Sequence, residues 1–203
     1  MQESGTARLE TFSDGIFAIA ATLLVREFGV GPSGRQLGSH LLHLWPSYLA
    51  YVTSFVTIGI IWMNHHTCVE TIGRVNRTFM FVNVLLLMTI AFLPFPTKLV
   101  AEHLQGAGER PAVYAYASTF VVMASLYNAW WRYASANRRL IAEGVPEARV
   151  RAITRAFAPG VPVYAVTLLV AVASPLASVL LTLAIAAFYL PSAALFERAG
   201  EPG

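Results

Sequence analysis

Six apolar stretches separated by shorter polar ones run along this chain, at roughly residues 9–28, 41–63, 76–97, 111–134, 154–173 and 176–196. Each approaches the roughly 20 residues that a helix needs to cross a bilayer. The pattern predicts an all-α integral membrane protein with six transmembrane helices, forming one domain over residues 1–203. Ser174-Pro175 allows only a tight turn, so the fifth and sixth spans form a hairpin. Pro159 and Pro162 kink the fifth span or mark its true start. The halves show no internal repeat. Gly29–Gly38, with Pro32 and Ser33, reads as a flexible outer link.

The first span differs from the others. Its uninterrupted apolar part, Gly15 to Val25, is too short to cross comfortably, so the helix takes in Phe12, Ser13 and Asp14 at one end and Arg26 and Glu27 at the other. Charged groups within a span face a bundle interior or a water-filled cavity rather than lipid. This helix is therefore expected to be central. On a helical wheel Phe12, Ile19, Thr22, Leu23 and Arg26 share one face. That face suits the lining of a narrow pore. It equally suits ordinary packing, with Ile19 and Leu23 as knobs and Thr22 back-bonded to the carbonyl of Ala18.

Composition agrees with the membrane reading. Of 203 residues, 56% are hydrophobic and 12% charged, about half the charged share of a soluble domain. Mean hydropathy is +0.58. The net charge of +3 does not point to nucleic acid, because the basic residues gather in loops. Arg8, Arg74, Arg77, Arg132, Arg138, Arg139, Arg149, Arg151, Arg155 and Arg198 fall on one side, against Arg26, Arg35, Lys98 and Arg110 on the other. The positive-inside rule then puts both termini in the cytoplasm. Residues 135–155 read as a cytoplasmic helical connection whose basic cluster follows from topology and lipid-headgroup contact. The lone Cys68 excludes an intrachain disulfide. No cleavable signal peptide is expected.

Polar residues recur at one membrane level. Arg8, Ser13 and Asp14 open the first span, Trp62, His65 and His66 close the second, and Asn83 lies near the start of the third. An Arg–Asp pair with Ser, Trp, His and Asn partners would satisfy buried polar groups where water is scarce. The simpler alternative makes Ser13 or Asp14 the N-cap of a helix starting at Gly15. His65 and His66 point about 100° apart on a helix, and no cysteine or carboxylate set completes a coordination sphere, so no metal is expected. No convergent acid, base and nucleophile appear at one level, so no catalytic residues are expected and the chain is not read as an enzyme.

Arg8-x-x-x-Phe12-Ser13-Asp14 opening a hydrophobic span, followed by Trp62-Met63-Asn64-His65-His66, Asn83 and Leu93-Pro94-Phe95-Pro96, resembles the signature of the transmembrane protein 175 family. These are potassium channels of endolysosomes and of bacteria. The motifs cover most of residues 8–98, and the rest matches the bacterial single-repeat form by span count. The resemblance implies a homotetramer in a bacterial inner (plasma) membrane. Its first helices would line the conduction path, with Ile19 as first constriction, Thr22 as hydroxyl and Leu23 as the next apolar layer. Arg8, Phe12, Ser13, Asp14, Trp62, His65, His66 and Asn83 would hold the pore helix. One helix cannot form a ring alone, so an axial pore requires a closed cyclic oligomer.

The expected function is passive potassium permeation, with lipids and monovalent cations as the only partners besides sister copies and with no cofactor. No Thr-Val-Gly-Tyr-Gly filter is present, so a carbonyl ring is not the selecting device. A hydrophobic ring can gate by dewetting instead. Arg26 departs from the Leu usual in the family, and facing the lumen it would repel cations unless paired with Glu27 or Glu102 or turned towards headgroups. Two alternatives stand beside this reading. One is a poorly selective cation or proton pore, and the other a proton-coupled or other secondary transporter using Asp14 and a nearby His. Transporters tend to show inverted repeats and broken helices, of which only the fifth-span prolines give a hint.

Overall fold

The computed structural model describes residues 3–28 and 37–198. Among them are nine α-helices: α1 (Glu3–Leu23), α2 (Leu37–His43), α3 (Trp45–Glu70), α4 (Arg77–Phe92), α5 (Pro94–His103), α6 (Glu109–Ser135), α7 (Glu147–Phe157), α8 (Gly160–Ala173) and α9 (Pro175–Arg198). No strand occurs among the described residues, only an isolated antiparallel bridge between Ile72 and Ile141. The fold is all-helical. Most of the Gly29–Gly38 link, with Arg35, lies outside the described residues, as does the side chain of Arg198.

Among the described residues, three helical stretches, rather than the six expected, are long and apolar enough to cross a membrane by length and composition: Trp45–Glu70, Arg77–His103 and Glu147–Ala173. The second and third are each two helices run end to end. Pro94 opens α5 directly after α4, and Ala158-Pro159 separates α7 from α8, where proline lacks the N–H an unbroken helix would use. α1 starts earlier than hydropathy suggests, at Glu3 rather than near residue 9. Its first turns contain Glu3, Ala7, Leu9 and Glu10, good helix formers that an apolar window does not register. Ser174 joins α8 to α9 as a one-residue turn, its hydroxyl accepting from the Ala177 N–H at 3.3 Å.

α6 is the central post. It packs against α4, α5, α8 and α9, while α3 links α1, α5 and α9, and α1 rests on α3 and α4. Aromatic rings fill the middle: Trp130, Trp131, Tyr116 and Phe120 of α6 and Phe79 of α4 are all buried. Buried hydroxyls join three helices where Ser54 of α3 meets Thr97 of α5 at 2.8 Å and Tyr116 of α6 at 2.9 Å.

At one end of the bundle the α3–α4 loop pairs with the segment after α6. The Gly73 N–H donates to the Leu140 carbonyl and the Ala142 N–H to the Thr71 carbonyl, both at 2.9 Å. Gly73 is needed for this approach, since a Cβ there would lie 2.7 Å from the Ala142 Cα. The Arg74 guanidinium adds two bonds to the Arg139 carbonyl, at 2.8 and 3.0 Å.

Candidate functional site

α1 has two faces of opposite character. Leu9, Ser13, Phe17, Ala20 and Leu24 follow one another at helical spacing and are all buried against α3 and α4. On the other side Phe12, Gly15, Ile19, Thr22 and Arg26 form an exposed stripe, with Phe12 and Ile19 each 57% accessible. An α-helix rises 1.5 Å per residue, so Phe12 to Arg26 extends along about 20 Å. Four of the five residues expected on one face thus lie on this stripe, and Leu23 is half-buried at its flank.

The local chemistry differs from expectation at two points. Thr22 donates its hydroxyl to the Ile19 carbonyl at 2.9 Å, not to Ala18. Arg26 sits exposed in a 3₁₀ turn over Leu24–Glu27 that tightens the helix end. Glu102 stands 3.9 Å from Lys98 rather than pairing with Arg26.

Behind the stripe, a polar layer fixes α1 to its neighbours. His65 of α3 meets the Asn83 side-chain oxygen of α4 at 2.9 Å, so its Nε2 is the donor in this arrangement. The Asn83 amide donates to the Ser13 hydroxyl at 3.1 Å, and Ser13 donates to the Leu9 carbonyl at 2.8 Å. Ser13, His65 and Asn83 are all buried. A second link runs from the Trp62 indole N–H to the Asp14 carboxylate at 2.9 Å. Ser13 and Asp14 are therefore not N-caps. The helix starts ten residues before Ser13, at Glu3, and both are interior positions.

Aromatic rings clamp the layer from the far side. His65 stacks on Trp130 with centroids 4.8 Å apart, and Phe79 stacks on the same indole at 5.0 Å. Phe17 of α1 tilts against His65 at 5.5 Å. Residues of α1, α3, α4 and α6 thus meet around one imidazole.

His66, adjacent but turned away, belongs to a separate chain of polar contacts nearer the surface. It lies 2.8 Å from Glu10 of α1 and 3.5 Å from Glu70, which takes a bond from Arg149 of α7 at 3.2 Å. Its ring also stacks over Trp62 with centroids 6.3 Å apart. Arg8 does not pair with Asp14. It is exposed and makes no ion pair or hydrogen bond with any described residue, because its position falls on the open side of α1. Phe12 likewise stands outside the polar layer.

Sequence reasoning missed Glu10 and Trp130. Glu10 could have been found, since it lies one turn before Asp14 on a helix that has to meet α3. Trp130 carried no signal separating it from a lipid-facing indole. Among the described residues no group of three or more His, Cys, Asp or Glu could hold a metal ion. A cleft of about 490 Å³ between α1 and α3, lined by Asp14, Ala18, Phe55 and Trp62 among others, opens beside the stripe.

Comparison with known proteins places this arrangement. Residues 8–94 match the family described as endosomal/lysosomal potassium channel TMEM175. A potassium channel of Chamaesiphon minutus is 43% identical over 170 residues, covering 81% of this chain and 83% of the relative. A potassium channel of Streptomyces collinus is 41% identical over 184 residues, covering 87% and 86%. The crystal structure of a lysosomal potassium-selective channel TMEM175 homolog from Chamaesiphon minutus superposes with a TM-score of 0.84 at 38% identity, over 93% of this chain and 97% of that one. The relatives are named potassium channels, and this all-helical membrane bundle shares their fold, which makes it an ion channel by class. This chain belongs to the TMEM175 family.

Proposed function

We propose that the protein is a potassium-permeable channel, a homotetramer of six-span subunits with both termini cytoplasmic in a bacterial inner membrane. Ions pass down a central pore lined by the open stripe of four α1 helices. The observation that carries this reading is the stripe itself: α1 is packed on its back, yet no described helix of the same chain covers Phe12, Ile19 or Thr22. A closed ring of copies would cover that face and would turn single side chains into rings. Ile19, with Leu23 beside it, would narrow the path as a hydrophobic constriction that dewets. Thr22 has its proton committed to Ile19, so its remaining lone pairs are free to face a partly dehydrated cation.

A second reading rests on Arg26. Exposed at the end of the stripe, beside Glu27 whose side chain lies outside the described structure, it would place a ring of positive charge at one mouth and weaken cation preference. Reversal potential in a planar bilayer, with potassium on one side and sodium on the other, tests both. Reversal near the potassium equilibrium potential is expected. Reversal near zero would leave a poorly selective pore. No current from intact tetramers would remove the conduction reading and favour a transporter.

A further inference from the structure

We propose that the cleft between the end of α6 and α7 is a binding site for a phosphate oxyanion, supplied by the headgroup of an anionic phospholipid. The cleft is an open one of about 700 Å³, and its walls carry Arg132, Arg138, Arg151 and Arg155 against a single carboxylate, Glu147. Two of the four arginines are engaged. Arg151 donates to Glu147 at 2.6 Å, and Arg138 donates to the Val145 carbonyl at 2.8 Å and, at the longer distance of 3.4 Å, to that of Ala142. Arg132, in the last turn of α6, and Arg155, on α7, have no hydrogen bond or ion pair with any described residue. Two free guanidinium forks from different helices facing one cavity suit the several oxygens of a phosphate, which arginine binds bidentately.

The cleft is built rather than incidental. Its two walls are tied by the Trp131 indole N–H, which donates to the Thr154 hydroxyl at 2.9 Å. Its rim contains consecutive non-glycine residues in the left-handed region, Asn137 at φ 51° and Arg138 at φ 53°. Such backbone costs energy and persists where surrounding contacts hold it, here the Arg138 bonds to the following loop.

A lipid fits better than a soluble phosphate because α7, which carries Arg151 and Arg155, leads directly into an apolar helix with exposed side chains. Five residues after Arg155 the chain enters α8, whose Val166, Leu169 and Val172 are exposed at helical spacing. A headgroup in the cleft would thus have room beside it for its acyl chains. Basic pockets at the membrane-facing end of helices take anionic headgroups on the same physical grounds.

Native mass spectrometry of the full chain in detergent tests the site, using dioleoylphosphatidylglycerol, dioleoylphosphatidylcholine and glycerol 3-phosphate as probes. Phosphatidylglycerol should remain bound where phosphatidylcholine does not. R132Q and R155Q should each weaken it about fivefold, the scale of one basic residue at a membrane surface. R77Q, at the same end of the bundle but away from the cleft, should leave it unchanged. E147Q frees Arg151 and should tighten binding, which keeps the test informative if an arginine variant folds poorly. Equal retention of the two lipids, or an R77Q loss as large as that of R132Q, would overturn the site in favour of diffuse surface charge. Glycerol 3-phosphate binding as tightly as the lipid would overturn the lipid source and leave a soluble phosphate.

Discussion

The two sides of α1 are made from the same helix and obey different rules. On the side facing α3 and α4 the polar side chains bond in sequence: His65 to Asn83, Asn83 to Ser13, Ser13 to the Leu9 carbonyl. The side with Ile19 and Thr22 is uncovered by any described helix, and its hydroxyls, Thr11 and Thr22, turn inward to their own backbone. Rigid attachment on one side is what allows openness on the other. An isolated helix with an uncovered face would tilt and rotate to cover it. This one is held at an angular position by bonds that are satisfied in one orientation only.

Breaking the back should destabilise, and breaking the front should not. The largest loss is expected from Trp130→Ala, which removes a fully buried ring stacked on both His65 and Phe79 and should cost about 3–5 kcal/mol. Thermal unfolding of the purified protein in detergent would read this as a large drop in Tm. Asn83→Leu comes next. It strands His65 and Ser13 together, and two lost interhelical bonds should cost about 1–2 kcal/mol. A loss no larger than that of a surface variant would show that the polar layer does not hold α1.

Asp14→Ala removes the acceptor of Trp62 at a half-buried position and should cost about 1 kcal/mol, lowering tetramer yield on size exclusion more than it alters current. Normal yield with altered current would instead place Asp14 in the ion path. Ile19→Asn should change stability least, within about 0.5 kcal/mol. It should nevertheless shift the reversal potential towards zero by wetting the constriction. Unchanged selectivity would remove Ile19 from the narrow part of the pore.

The all-helical class was readable because long apolar runs favour helices, and the runs fall on helical segments. Only three helical stretches among the described residues, however, meet the length and apolarity of a span. The less readable features are those that hydropathy cannot see. The polar turns Glu3–Thr11 are helical yet carry no apolar signal, so both the true start of α1 and the role of Glu10 were hidden. Ser13, Asp14, Trp62, His65 and Asn83 were singled out together because polar groups at membrane depth demand partners. Their pairing was not legible. Arg8 was the natural mate for Asp14 by charge, but helical geometry turns it to the open side, and the indole of Trp62 takes its place. The fifth apolar run was correctly marked by its prolines, yet only packing shows that Pro159 separates two helices rather than bending one.

The order of synthesis gives the polar layer one more consequence. α1 leaves the ribosome before its partners: Trp62 lies 48 residues after Asp14 and Asn83 lies 70 residues after Ser13. At about 5–20 residues per second, Ser13 waits roughly 4–14 s for its partner. During that interval a helix with a short apolar run and an unpaired carboxylate has little reason to stay in lipid. α1 is made before the residues that secure it, so the insertion machinery must shelter it until α3 and α4 arrive.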